Sequence, residues 1–138
     1  MHNNLQEKIL TFIVNKNNQL LLLKCSKNDP QFHKSFWSVV TGACEKEDKD
    51  KTQTVKREVK EETNLDVIEI IYLNKVFEYK SLDKKCIEYV YLSKVNNTDI
   101  VLNEEHMDYK WCNFNEFVQL IHWFEDKTNL IELLKPFF

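Results

Sequence analysis

The chain has 138 residues, 43 % apolar and 30 % charged, which suits one folded domain with its own core and excludes a disordered tail or a disulfide-dependent mini-domain. Its 22 acidic and 19 basic residues leave a formal charge of -3, too little field to hold long nucleic acid by counterion release, so a phosphate-bearing partner has to be held locally. The apolar runs at 9–14 and 20–23 are split by turn-prone asparagines, which excludes a membrane span or signal-peptide core there, and Cys25, Cys44, Cys86 and Cys112 lack zinc-type spacing and read as packing residues of a cytoplasmic protein.

In chain order, residues 8–14 and 19–24 are β-branched and leucine-rich and predict a hairpin of two paired strands. After a polar loop holding Lys27, Asp29 and Pro30, residues 35–40 predict a short strand that ends in a sharp turn at Thr41-Gly42. Gly42 is the only glycine, and a sequence with one glycine is expected to place it where the backbone needs positive φ or a close approach to a ligand. Residues 52–63 contain neither Gly nor Pro and predict a helix, closed by Asn64 in the left-handed conformation. Long strands at 67–79, with a bend near Asn74, and at 85–93 are followed by a short strand at 108–112. Asn113-Phe-Asn-Glu116 forms a capping box for a helix at 114–123, and a last helix at 128–134 is stopped by Pro136. Strands with helices on both faces predict an α/β/α sandwich around a central mixed sheet, one domain over 1–138.

On a helix turning about 100° per residue, with Glu58 at zero, Glu62 falls near about +40° and Glu61 near about -60°. Val55 and Val59 lie beside this arc while Lys56 and Lys60 point to the opposite side, so the helix packs on its valines and aims three acids along the seam. Like charges this close raise one another's pKa, and a hard divalent cation with oxygen ligands, Mg²⁺ above all, relieves that cost and bridges to phosphates. Arg57, one turn before Glu61, is placed to orient that carboxylate through an i,i+4 pair. The same residues also describe a solvated charged face with ordinary salt pairs, so the flanking sequence has to decide.

That flanking sequence, Gly42-Ala-Cys-Glu-Lys-Glu-Asp48 followed by Arg57-Glu-Val-Lys-Glu-Glu-Thr-Asn-Leu65, resembles the Nudix box: glycine, five residues, an acid, seven residues, then Arg-Glu-aliphatic-x-Glu-Glu-x-Gly-aliphatic. Gly42, Arg57, Glu58, Val59, Glu61, Glu62 and Leu65 match by type and spacing. Three positions depart: Asp48 stands for Glu, eight residues rather than seven separate it from Arg57, and Asn64 replaces the second glycine, a mild change because Asn tolerates the left-handed conformation. The extra residue has to be absorbed before the helix, leaving the triad in register.

Phe36-Trp37-Ser-Val-Val-Thr41-Gly42 and Glu105-His106-Met-Asp-Tyr109-Lys-Trp111 further resemble the bacterial dATP pyrophosphohydrolase branch, which also cleaves dihydroneopterin triphosphate. The resemblance implies a Nudix sandwich and attack of water on a phosphorus of a nucleoside-diphosphate-linked substrate, here a nucleoside or pterin triphosphate cut to monophosphate and pyrophosphate. It implies that Glu58, Glu61 and Glu62, with the Gly42 carbonyl, hold Mg²⁺, or Mn²⁺ in its place. The candidates it implies for taking the proton of the attacking water are Glu61, Glu58 and Glu105. Lys24 and Lys27 are candidates to counter phosphate charge, and Trp37, Phe77, Tyr79 and Trp111 to stack the ring, Trp37 foremost. The same motif leaves open a dinucleoside polyphosphate, ADP-ribose or an oxidised nucleotide as substrate, or a non-catalytic nucleotide-binding module.

Overall fold

The computed structural model describes residues 5–25 and 35–138. Its first strands, β1 (Leu5–Val14) and β2 (Leu20–Cys25), meet in antiparallel register only beside their turn, at Val14 and Leu20. The expected hairpin is therefore a tight turn between strands that part. Asn15 makes the turn, its Oδ1 accepting from the Asn17 and Gln19 N–H groups at 2.9 and 3.0 Å, with Asn18 at φ 63°.

The segment from Trp37 onward lies between those two strands. β3 (Trp37–Ser38) pairs with β2, and β4 (Val40–Ala43) pairs with β1, putting Gly42 opposite Ile9. The sharp turn expected at Thr41-Gly42 is absent: Gly42 is ladder-paired, its φ is not positive, and the chain turns only after Ala43. The helix α1 (Lys51–Thr63) follows, with Asp50 as N-cap accepting from Gln53 N–H at 3.0 Å, and Asn64 closing it at φ 65°.

β5 (Val67–Ser81) and β6 (Lys84–Val95) form a long antiparallel pair whose register shifts between Tyr72 and Val76, where Asn74 takes φ 56°. This is the bend expected near Asn74, a bulge rather than a break. β6 also runs parallel to β1 along its whole length, and β7 (His106–Cys112) pairs with β2. The result is one mixed, seven-stranded sheet.

Alternation along β1 divides the core. Ile9 and Ile13 pack with Val55 and Val59 of α1 on one face. Leu10, Phe12 and Val14 pack on the other with Phe117 of α2 (Phe114–Leu120) and with Leu130 and Leu134 of α3 (Lys127–Leu134). This is the expected α/β/α sandwich. α2 stops at Leu120, short of the expected 123, because buried Ile121 turns extended and the His122 N–H donates to the Trp37 carbonyl at 2.9 Å. Asn113 caps α2 as expected, but Glu116 pairs with Lys110 at 2.9 Å instead of closing the box. Cys86 and Cys112 are buried, Cys44 is half-buried, and all three are free thiols.

Candidate active site

α1 carries its acids to three different environments. Glu58 lies against Gly42 so closely that a Cβ at residue 42 would occupy the space of its carboxyl group. The lone glycine thus serves a close approach, to Glu58, and not a special backbone angle. Glu62 is 2 % exposed, and Glu61, one residue earlier, is solvent-exposed. Three acids expected on one arc therefore form a gradient from buried to open.

Arg57 binds that arrangement together. It forms a two-pronged pair with Asp48, and its Nη1 lies 2.8 Å from Glu58 Oε1 while Nη2 donates to the Ala43 carbonyl at 3.0 Å. The expected pairing with Glu61 is present but weaker, at 3.4 Å to each oxygen. The guanidinium holds the Asp48 carboxyl well below the usual carboxylate range, and Asp48 in turn raises the pKa of Arg57.

Glu62 faces the loop before β7. One ligand atom each from Glu62, Glu105 and His106 lie within 4.8 Å of one another. Glu62 Oε2 and His106 Nδ1 are buried without a hydrogen-bond partner among the described residues. Burial, with the Glu58, Glu105 and Glu61 carboxyls adding, pushes the Glu62 pKa up to about 10, and burial lowers that of His106 to about 4. With a neutral imidazole, the 3.7 Å His106–Glu62 approach is a contact and not an ion pair. A buried, orphaned carboxylate oxygen among further carboxylates suits a hard divalent cation, so the residues fit such an ion.

Glu62, Glu105 and His106 also line a cleft of about 1080 Å³. Its floor is the α2-side face of the sheet, with Lys8, Leu10, Thr41 and Glu88, and Phe77 and Tyr79 stand at one wall. Trp123 and Phe124, from the segment after α2, stack at 4.9 Å and meet Phe77 edge-on at 5.8 and 4.7 Å. One end of the cleft thus gathers Glu62, Glu105 and His106, and the other the aromatic rings, with Glu78, Glu88 and Glu125 beside them.

Tyr79 is brought to the cleft, while Trp37 and Lys24 are not among its lining residues: Lys24 Nζ lies 5.5 Å from the Trp37 ring centre and the two cover each other. Trp111 is on the α1 side, its indole donating weakly to the Thr98 carbonyl at 3.4 Å. Lys27 lies outside the described residues. Sequence reasoning missed Glu88 and the 122–125 segment. The first was hidden among strand residues; of the second, His122 and Trp123 were absorbed into the expected helix at 114–123 and residues 124–125 were passed over, although the run of His122, Trp123 and Phe124 was a visible aromatic signal.

The family model for the NUDIX domain matches residues 5–134. The fold is similar to the MutT protein of Methanosarcina mazei Go1, at 20 % identity and TM-score 0.74, with 99 % of this chain and 95 % of that one covered. It is similar to the E. coli dihydroneopterin triphosphate pyrophosphohydrolase, at 23 % identity and TM-score 0.72, with 94 % and 95 % covered. It is also similar to a C. elegans Ap4A hydrolase, at 24 % identity and TM-score 0.71, with 96 % and 94 % covered. Identities this low establish a shared fold. No curated protein matches the sequence. No helix among the described residues is long and apolar enough to cross a membrane.

Proposed function

The chain belongs to the NUDIX domain family as a pyrophosphohydrolase, and on that basis we propose that it is a Mg²⁺-dependent enzyme that cuts a nucleoside or pterin triphosphate to monophosphate and pyrophosphate. The carrying observation is Glu62: a buried carboxyl with an orphaned oxygen at the end of the cleft away from the aromatic rings. Charge at one end suits a metal-bound phosphate chain, and rings at the other suit a flat heterocycle.

Glu58, Glu61 and Glu62, with the Gly42 carbonyl, would hold the ion, and Mn²⁺ would serve in place of Mg²⁺. A divalent ion held there would supply Lewis-acid polarisation of phosphoryl oxygens and activation of water. Arg57 fixes Glu58, whose Oε1 it occupies at 2.8 Å. That leaves Glu61 and Glu105, both solvent-exposed, as the carboxylates able to accept the proton of the attacking water. Tyr79 meets the ring, and Lys24 and Lys27 are the lysines proposed from the sequence to counter phosphate charge. The domain spans 1–138, its partner is a small molecule, its formal charge of -3 gives no field to hold long nucleic acid, and its thiols suit the cytoplasm.

Product analysis with dATP, dihydroneopterin triphosphate, ADP-ribose and diadenosine tetraphosphate tests this reading. Pyrophosphate and monophosphate from the triphosphates are expected. Preferred cleavage of either of the last two would assign the chain to another substrate class.

A further inference from the structure

The cleft floor holds one acid that the metal end does not use. Glu88 sits in β6 between Phe77 of β5 and Lys8 of β1, and it is 4 % exposed on the cleft face of the sheet. Its neighbours along that face, Val90 and Leu92, are fully buried in the core, so an ionisable group here carries a desolvation cost that an apolar residue would avoid. The Tyr79 hydroxyl donates to Glu88 Oε2 at 3.2 Å. Lys8 bears on it only through its field, and among the described residues Glu88 makes no ion pair within 4.0 Å. One oxygen is oriented by Tyr79, and the carboxyl group as a whole borders the cleft.

Around it stand the rings of Phe77, Tyr79, Trp123 and Phe124. Stacking on such rings holds any flat heterocycle and selects weakly among them. Selection needs a polar group at the ring edge; Glu78 and Glu125 also line the cleft beside these rings, but they are ion-paired with Lys85 at 3.3 Å and Lys75 at 3.8 Å, which leaves Glu88 as the acid there without an ion pair among the described residues.

We propose that Glu88, oriented by Tyr79, reads the substrate ring by accepting two adjacent N–H donors, which selects a 2-amino-4-oxopyrimidine edge, the edge shared by guanine and pterins, over adenine. This rests on the cleft being the substrate site. An ionised carboxylate only accepts, and its two oxygens match a ring N–H beside an exocyclic amino group. Adenine presents one amino donor beside a ring nitrogen lone pair, so one contact becomes repulsive. Hypoxanthine keeps the ring N–H and lacks the amino group, so one oxygen goes unpaired. Leaving a buried polar group unpaired discriminates more strongly than any difference in stacking.

The test is calorimetric binding of GMP, IMP and AMP in Mg²⁺, three ligands with the same sugar and phosphate. GMP should bind about tenfold or more tightly than either of the others. Glu88→Gln, whose amide offers one acceptor and one donor, should bring the three within a few-fold, and Tyr79→Phe should give a smaller loss of the same preference. A merely structural Glu88 would shift melting temperature and leave the preference intact. Equal affinities in the wild type, no binding of any of the three, or a GMP preference that both variants retain would overturn the proposal. Triphosphate turnover is scored apart from binding. A Glu88-dependent GMP preference without turnover would contradict the activity and leave ring selection standing, whereas turnover with no ring preference would do the reverse.

Discussion

Arg57 and Asp48 grip each other through two parallel hydrogen bonds, Nε to Oδ1 at 3.1 Å and Nη2 to Oδ2 at 2.9 Å, across the loop where this chain carries one residue more than the family pattern. The same carboxylate accepts from the Glu45 N–H at 3.0 Å and the Thr54 hydroxyl at 2.8 Å. The extra residue is taken up ahead of α1, and Glu58 still lies against Gly42.

Asp48→Ala should therefore lower stability by about 2 kcal/mol, since it strips several charge-assisted hydrogen bonds from a side chain that is only 8 % exposed. Because folding depresses the Asp48 pKa, its contribution is complete above the unfolded value of about 4 and is lost as pH falls below it. Urea denaturation at pH 7 and pH 3 should show the wild-type advantage shrinking with acid. Asp48→Asn should reduce turnover less than Glu62→Gln does.

Glu62 titrates in the opposite sense. Its folded pKa of about 10 exceeds the reference 4.5, so the metal-free fold binds an extra proton between those values and loses stability as pH rises through them. Metal-free Glu62→Gln should melt higher than wild type at pH 8, and the gap should close toward pH 5. Mg²⁺ should raise the wild-type melting temperature at pH 8 and raise that of Glu62→Gln much less. The same variant, and Glu61→Gln, should lose at least about a hundredfold in turnover.

Gly42→Ala separates packing from backbone effects. With no positive φ at residue 42, alanine suits the β4 backbone, so the fold should survive at an overpacking cost of about 1–3 kcal/mol. The added methyl displaces the Glu58 carboxyl group, and turnover should fall at least about tenfold with a higher Mg²⁺ requirement. Near-normal kinetics in a folded Gly42→Ala protein would show that the Glu58 position is not critical.

Asn64 stands where the family pattern has glycine, at φ 65°. Asn64→Gly should be nearly neutral in thermal denaturation, whereas Asn64→Ala should cost about 1 kcal/mol, the penalty of a β-carbon in the left-handed region.

Local chemistry made much of this fold readable. Val55 and Val59 oriented α1, and Asn64 and Asn74 marked a cap and a bend because asparagine tolerates positive φ. What escaped was non-local. Val40–Ala43 lies between strands that adjacency alone would pair, and α2 ends early because the His122 N–H is drawn to a carbonyl distant in sequence. Glu88 looked like an ordinary strand acid. Its place beside Tyr79 depends on the register shift near Asn74, which no pattern along one strand reveals. The metal-site acids were readable because one helix carries Glu58, Glu61 and Glu62, whereas the ring end is assembled from β5, β6 and the segment after α2.

Metal-dependent cleavage to pyrophosphate is tested by product release from dATP, dGTP and dihydroneopterin triphosphate, measured with and without inorganic pyrophosphatase and with and without Mg²⁺. Because the pyrophosphatase itself needs Mg²⁺, the metal arm is read as nucleotide or pterin monophosphate by chromatography: monophosphate should appear only with the metal, and free phosphate only when the pyrophosphatase is added in Mg²⁺. Phosphate released without pyrophosphatase, or turnover unchanged in chelator, would contradict metal-dependent cleavage to pyrophosphate at this site.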